Sequence, residues 1–177
     1  MTEPVDEMRG ATPNAGAQPG RTLPGSGADG GRIRRVEAED IAQIAELDRL
    51  GFGDEAWPQE MIVAELAAPS GRYFVAEDGG QLVGYGGIRV GKRDSEVMTI
   101  AVDPAEQGRG WGRALMEKLI EAGAEAGSVR VWLIVAEDAE PAYNLYLSLG
   151  FVPVERVPGY YRLSARDGIL MVLAFNQ

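Results

Sequence analysis

An α+β fold, a mixed α/β layer in which helices flank a central, mostly antiparallel sheet, is what the sequence predicts, on three observations. Four separated stretches carry apolar residues at helical spacing, and strand-like apolar runs fall between and after them. Three of those runs follow one another, and two more close the chain. Glu77-Asp78-Gly79-Gly80-Gln81 links two runs as a hairpin connection does.

Residues 1 to 32 hold seven glycines, four prolines and no aromatic residue or isoleucine, too little apolar content to offset ordering entropy. A disordered tail is expected there, with one domain over residues 33 to 177. After Val36-Glu37-Ala38-Glu39-Asp40, Ile41, Ile44, Ala45 and Leu47 mark a first helix with acidic residues at its positive end. Pro58 opens a second helix carrying Met61, Ile62, Glu65 and Leu66, which Pro69 and Gly71 stop. Strands are predicted at Tyr73 to Ala76, Leu82 to Tyr85 and Ser95 to Val102. Trp111, Leu115, Leu119, Ala122 and Ala126 line one face of a long helix, and Val129 to Val135 is apolar enough to be a central strand. A last helix runs from Pro141 to before Gly150, with Ala142, Leu145, Tyr146 and Leu149 inward, and strands follow around Phe151 to Val157 and Gly168 to Phe175.

Composition excludes several chemistries. The chain has 177 residues, is 45% hydrophobic and carries a formal charge of −10, so no basic surface is available for a nucleic-acid backbone. There is no apolar run of about 18 residues to span a membrane, and Met1-Thr2-Glu3-Pro4 lacks the basic and apolar regions of a signal peptide. A cytoplasmic location is therefore expected. Cysteine and histidine are absent, which removes disulfides, thiol nucleophiles, serine–histidine relays and the usual zinc sites, so no metal is expected. Proton transfer is left to Asp, Glu, Tyr or Lys.

The segment Gln107-Gly108-Arg109-Gly110-Trp111-Gly112-Arg113 joins a strand to a helix, where glycine lets backbone N–H groups converge beside a positive helix end. Such a loop attracts phosphate. A nucleotide P-loop would need Gly-Lys-Ser/Thr, and the dinucleotide pattern fails at Arg113, where its third glycine should stand.

Two motifs together resemble those of the GNAT acetyltransferase superfamily. Q-x-x-G-x-G, carried by Gln107, Gly110 and Gly112, looks like its pyrophosphate loop, and Leu145-Tyr146-Leu147-Ser148-Leu149-Gly150-Phe151 is similar to its L-Y-x-x-x-G-F. The resemblance extends from about Ile33 to the C-terminus. It implies acetyl-CoA as co-substrate, its pantetheine arm along the backbone of Ile100, Ala101 and Val102 and its pyrophosphate on N–H groups of Gly108, Arg109, Gly110, Trp111, Gly112 and Arg113. It also implies Tyr146 as the acid that protonates the departing thiolate. Its place on the apolar stripe with Ala142, Leu145 and Leu149 is equally that of a core aromatic.

Within the superfamily the likeness is greatest to the bacterial RimI group, which acetylates the N-terminal alanine of a ribosomal protein. Thr99-Ile100-Ala101-Val102-Asp103-Pro104, Trp57-Pro58 and Tyr160-Tyr161 resemble that group's segments, which implies Trp57, Tyr160 and Tyr161 as acceptor-binding residues. A core anchor and a sheet edge are the alternative readings of these aromatics. Two positions depart from the group: Ile134 stands where its strand glutamate base is found, and Ala139 where its asparagine is found. Glu96, eleven positions before Gln107, matches the base of related histone acetyltransferases, or is a solvent-facing strand residue. An α-amine of pKa about 7.7 to 8.0 is roughly 10 to 20% neutral at pH 7, against about 0.04% for lysine, so a protein N-terminus tolerates the weaker base. Three functions remain open: N-terminal acetylation of a ribosomal protein, acetylation of a small amine suited to the acidic surface, and acyl-CoA binding without turnover.

Overall fold

The computed structural model describes residues 31 to 175. Within it lie strands β1 (Arg32–Arg35), β2 (Gly71–Asp78), β3 (Gln81–Arg89), β4 (Asp94–Val102), β5 (Arg130–Ala136), β6 (Val152–Tyr161) and β7 (Arg166–Ala174), and helices α1 (Ile41–Phe52), α2 (Gln59–Ala67), α3 (Trp111–Glu125) and α4 (Glu140–Ser148). The strands form one sheet in the order β1-β2-β3-β4-β5-β7-β6, antiparallel throughout except between β4 and β5. All four helices and six of the strands follow from sequence periodicity.

The expected tail over residues 1 to 32 lies outside the described residues up to position 30, but Arg32 already belongs to β1. This strand escapes a periodicity search because Ile33 is its one apolar residue, packed on the core, while ion pairs tie its arginines to carboxylates. Arg34 grips Asp40 at 2.7 and 2.9 Å and reaches Glu77 of β2 at 2.8 Å, while Arg32 approaches Glu77 at 3.2 Å. Asp40 also accepts the Glu37 N–H at 2.8 Å, a capping box that starts the 3₁₀ turn ahead of α1. The hairpin between β2 and β3 is tighter than expected. Glu77, Asp78 and Gln81 lie in the strands, and Gly79 and Gly80, at φ +55° and +81°, alone make the turn. Ala126 is exposed beyond the end of α3 and takes no part in the core.

Side chains alternate across the sheet to build two cores. On one face α3 and α4 bury Leu115, Leu119, Leu145 and Tyr146 against Ile100 and Leu133. On the other, α1 and α2 bury Ile44, Leu47 and Ile62 against Val75, Tyr85 and Met98. Strand β5 is buried from Val131 to Ala136 and is interior, as its apolar run predicts.

The sheet is not continuous at its middle. β4 and β5 pair only through Asp94↔Arg130, Ser95↔Val131 and Glu96↔Trp132, and beyond these the strands are unpaired. The β3–β4 register shifts between Gly87 and Ile88, where β4 carries the additional residue Met98. Such a bulge bends and twists a strand, and here it sits at the point where β4 leaves β5. No helix among the described residues is long and apolar enough to cross a membrane.

Candidate active site

The opening between β4 and β5 exposes backbone that a sheet would otherwise use. Asp103 N–H donates to the Val83 carbonyl at 2.8 Å, and the antiparallel ladder alternates from there. Ala101 and Thr99 therefore turn their N–H and C=O groups to β3, whereas Val102 and Ile100 turn theirs to the opening. The Gln107 side-chain amide reaches the Val102 carbonyl at 3.4 Å, on that open side. Of the three residues expected to offer backbone to the pantetheine arm, Ile100 and Val102 have polar groups free of β3, and those of Ala101 are engaged.

Below the opening, the chain turns through Gly108 at φ +77° and Gly110 at φ +88° into α3. Left-handed backbone of this kind suits glycine. The first helical bond is Ala114 N–H to Gly110 C=O at 3.1 Å, so the N–H groups of Trp111, Gly112 and Arg113 have no partner within the helix. Trp111 and Gly112 border a shallow hollow lined also by Val102, Gln107, Gly108 and Gly110. Arg109 pairs with Asp78 at 3.1 Å and with Glu106, and Arg113 bonds Ser148 of α4. The Trp111 ring is buried against Gly31, so that residue meets the hollow through its backbone. Convergent N–H donors beside extended, unpaired strand backbone fit a diphosphate carrying an amide-containing arm.

Glu96 stands at the last position of β4 that pairs with β5, on the face covered by α2. Burial pushes its carboxyl up to about 7, against the lowering effect of Arg89 and with a raising contribution from Glu65. Arg89 is its cross-strand partner on β3. The Arg89 guanidinium does not pair with Glu96. Its Nε donates to Glu65 Oε2 at 3.2 Å and its Nη2 to Glu65 Oε1, and the Tyr73 hydroxyl donates to Glu65 Oε2 at 3.0 Å.

Tyr146 approaches from the opposite face. It is fully buried on α4, with the Phe151 ring 6.0 Å away at 59°. Glu96 and Tyr146 thus lie on opposite faces of the sheet.

The aromatic residues expected to form acceptor walls occupy different environments. Trp57 is 6% exposed and packs with Ile44, Leu47 and Tyr85, while its backbone N–H donates to Asp48 at 2.5 Å. Tyr161 is 1% exposed, bonds the Ile134 carbonyl at 3.3 Å and lies beneath the Arg166 guanidinium. Both side chains sit in packed interior rather than on an open wall. Tyr160 alone is half-buried; it stacks edge-on with Tyr161 at 5.0 Å and packs over Ile134 and Trp132 on the side of Glu96. Ile134 is buried there, and Ala139 caps α4. Beside this surface Glu55, between α1 and α2, accepts from the Ser164 N–H at 2.9 Å and its hydroxyl at 3.1 Å, joining that loop to the β6–β7 turn.

The cluster of Glu65, Arg89 and Tyr73 was not readable as a site from sequence, since its members come from three elements. One signal was present: Glu65 falls on the inner stripe of α2 with Ile62, where a carboxylate must find a buried partner. Among the described residues no group of three or more Asp or Glu side chains is arranged to hold a metal ion.

Comparison with known proteins matches this architecture. The sequence model of the acetyltransferase (GNAT) family covers residues 38–151, from the turn before α1 to the end of α4. The chain is 41% identical over 145 residues to the N-alpha-acetyltransferase RimI of Mycobacterium tuberculosis, an alignment covering 80% of this chain and 89% of that protein. It is 33% identical over 105 residues, 58% of this chain and 71% of the relative, to a ribosomal-protein-alanine N-acetyltransferase of Escherichia coli. The crystal structure of the Escherichia coli ribosomal-protein-alanine enzyme superposes with a TM-score of 0.76 at 26% identity, covering 83% of this chain and 95% of that one.

Proposed function

Since the chain belongs to the acetyltransferase (GNAT) family, we propose that it transfers the acetyl group of acetyl-CoA to the α-amine of a protein N-terminus, an alanine of a ribosomal protein, in the cytoplasm. The observation that carries this reading is Glu96, a carboxylate with its pKa raised to about 7 beside the opening between β4 and β5. Taking a proton from an α-ammonium of pKa about 7.7 to 8.0 is then uphill by about 1 kcal/mol, against about 4 to 5 kcal/mol from a lysine near 10.4. The identity with a relative named as an N-alpha-acetyltransferase supports the same acceptor class.

Bound acetyl-CoA supplies the acetyl thioester. The Ile100 and Val102 backbone groups hold its arm as an added strand, and the N–H groups from Gly108 to Arg113 hold its diphosphate. Glu96 takes the amine proton as the C–N bond forms, and Tyr146 gives its hydroxyl proton to sulfur as the C–S bond breaks. An amine and a thioester become an amide and a thiol, and solvent returns Glu96 and Tyr146 to their starting protonation. Tyr160, the half-buried aromatic of this face, flanks the acceptor.

Release of free thiol from acetyl-CoA tests the reading. An alanine-starting peptide should be turned over, and the same peptide with a blocked α-amine and a free lysine should not. Faster turnover of spermidine would replace the acceptor with a small polyamine, and thiol release independent of any amine would overturn transfer to an acceptor.

A further inference from the structure

The pairing around Glu96 is unexpected for a cation and a carboxylate placed opposite each other in a ladder. Arg89 and Glu96 are direct cross-strand partners, a position from which opposite charges ordinarily join. Arg89 turns instead to α2 and pairs at two points with Glu65, while Tyr73 of β2 fixes the same Glu65 carboxylate by a third bond. Glu65 is buried, with 8% of its side chain exposed, so its charge must be matched where it stands, whereas 43% of the Arg89 side chain is exposed. The fork geometry of guanidinium and carboxylate sets the direction of Arg89.

We propose that Glu65 and Arg89 are positioning residues for the acetyl transfer, the Glu65 carboxylate holding the Arg89 cation away from Glu96 so that Glu96 stays available to take the proton of the amine. The inference rests on the reading of Glu96 as the base. A direct Arg89–Glu96 pair would stabilise the ionised carboxylate and make it a poorer proton acceptor, whereas a missing Arg89 would leave two carboxylates facing each other across a buried space. The other groups facing Glu96 carry no charge that competes: Tyr73 of β2 and Tyr160 of β6 are both held protonated, chiefly by burial, and the β5 residue paired with Glu96 is Trp132. Glu65 therefore acts on the reaction through Arg89, without touching the amine. Glu65 of α2 and Arg89 of β3 thus form a closed pair beside Glu96 of β4.

The pH dependence of kcat/KM for an alanine-starting peptide separates this from a purely structural role. Loss of Glu65 as Glu65→Gln frees Arg89 to turn toward Glu96 and should move the acidic limb down by about one pH unit, and Arg89→Gln should move it up by about as much. Opposite displacements are the expected result, since a packing defect would lower the rate without moving the two limbs apart. Titration of the Glu96 carboxyl carbon by NMR in the free protein should show the same two directions. If Glu96→Gln removes the acidic limb while the two variants leave it in place or move it the same way, the positioning role is wrong and the base stands. If Glu96→Gln keeps the limb, the base assignment fails, and the NMR titration alone then decides whether this pair sets the proton affinity of Glu96. Should Glu65→Gln melt well below the wild type, Arg89→Gln carries the test, its side chain being part exposed.

Discussion

The Tyr85 hydroxyl on β3 donates to the buried Asp48 carboxylate on α1, which also accepts the Trp57 N–H from the segment leading into α2. One carboxylate thereby fastens α1, the start of α2 and the sheet. Asp48→Ala strands two buried donors and should cost about 2 to 4 kcal/mol in denaturant unfolding at pH 7, whereas Asp48→Asn, which keeps an acceptor in place, should cost about 1 kcal/mol or less. Burial raises the Asp48 pKa, so its contribution is fully present below the unfolded value and is lost as pH rises through the folded one. Asp48→Asn should flatten that part of the stability profile.

Glu96 has the same sign. With its pKa raised to about 7, the folded state holds a proton that the unfolded state releases at lower pH, so the wild type loses stability between about pH 4.5 and 7. Glu96→Gln should melt with the wild type at pH 4.5 and exceed it by about 1 to 2 kcal/mol at pH 8, after allowance for partial solvent screening. The same variant should lose activity most as pH rises through 7. A variant less stable than wild type at pH 8 would show that Glu96 is ionised at no cost in the folded protein.

Tyr146→Phe should lower kcat by roughly 10²- to 10⁴-fold with little change in acetyl-CoA affinity, as for loss of a proton donor. Its buried ring is retained, so the melting temperature checks that the core with Phe151 is intact. Unchanged turnover would leave Tyr146 as a packing residue.

Gly110→Ala places a Cβ at φ +88°, in a conformation that costs about 1 to 2 kcal/mol for a non-glycine residue. Relaxation of the turn would redirect the N–H groups that begin α3. Calorimetry should show acetyl-CoA binding weaker by about tenfold or more, with peptide KM nearly unchanged at saturating acetyl-CoA. Equal affinity would remove the diphosphate from this loop.

Much of this architecture is legible in the sequence because it obeys a period. The inner stripes of α1, α3 and α4, the two-glycine hairpin and the apolar run of β5 each declare themselves within a dozen residues. β1 does not, since three of its four residues are arginines, and Arg34 is held by Asp40, 6 residues on, and by Glu77 of β2. The turn from Gly108 to Gly112 is visible because the positive φ at Gly108 and Gly110 favours glycine. Glu96 is readable as a position but not as a raised pKa, which comes chiefly from burial, with Glu65 of α2 adding to it and Arg89 of β3 opposing it. Trp57 and Tyr161 show the converse limit: the sequence places both aromatics but does not show that they are buried, which depends on packing across the sheet.

The short contact between β4 and β5 makes the sheet two half-sheets that share three rungs. An extended ligand lying against Ile100 and Val102, as proposed for the arm of acetyl-CoA, would supply the rungs that are missing, so that loading it and completing the fold would become one event. At a concentration 100 times its dissociation constant such a ligand adds about 2.7 kcal/mol to the unfolding free energy. Amide exchange should slow along both flanks of the wedge at once, and the enzyme emptied of thioester should be the form most readily pried open along the seam between Glu96 and Trp132.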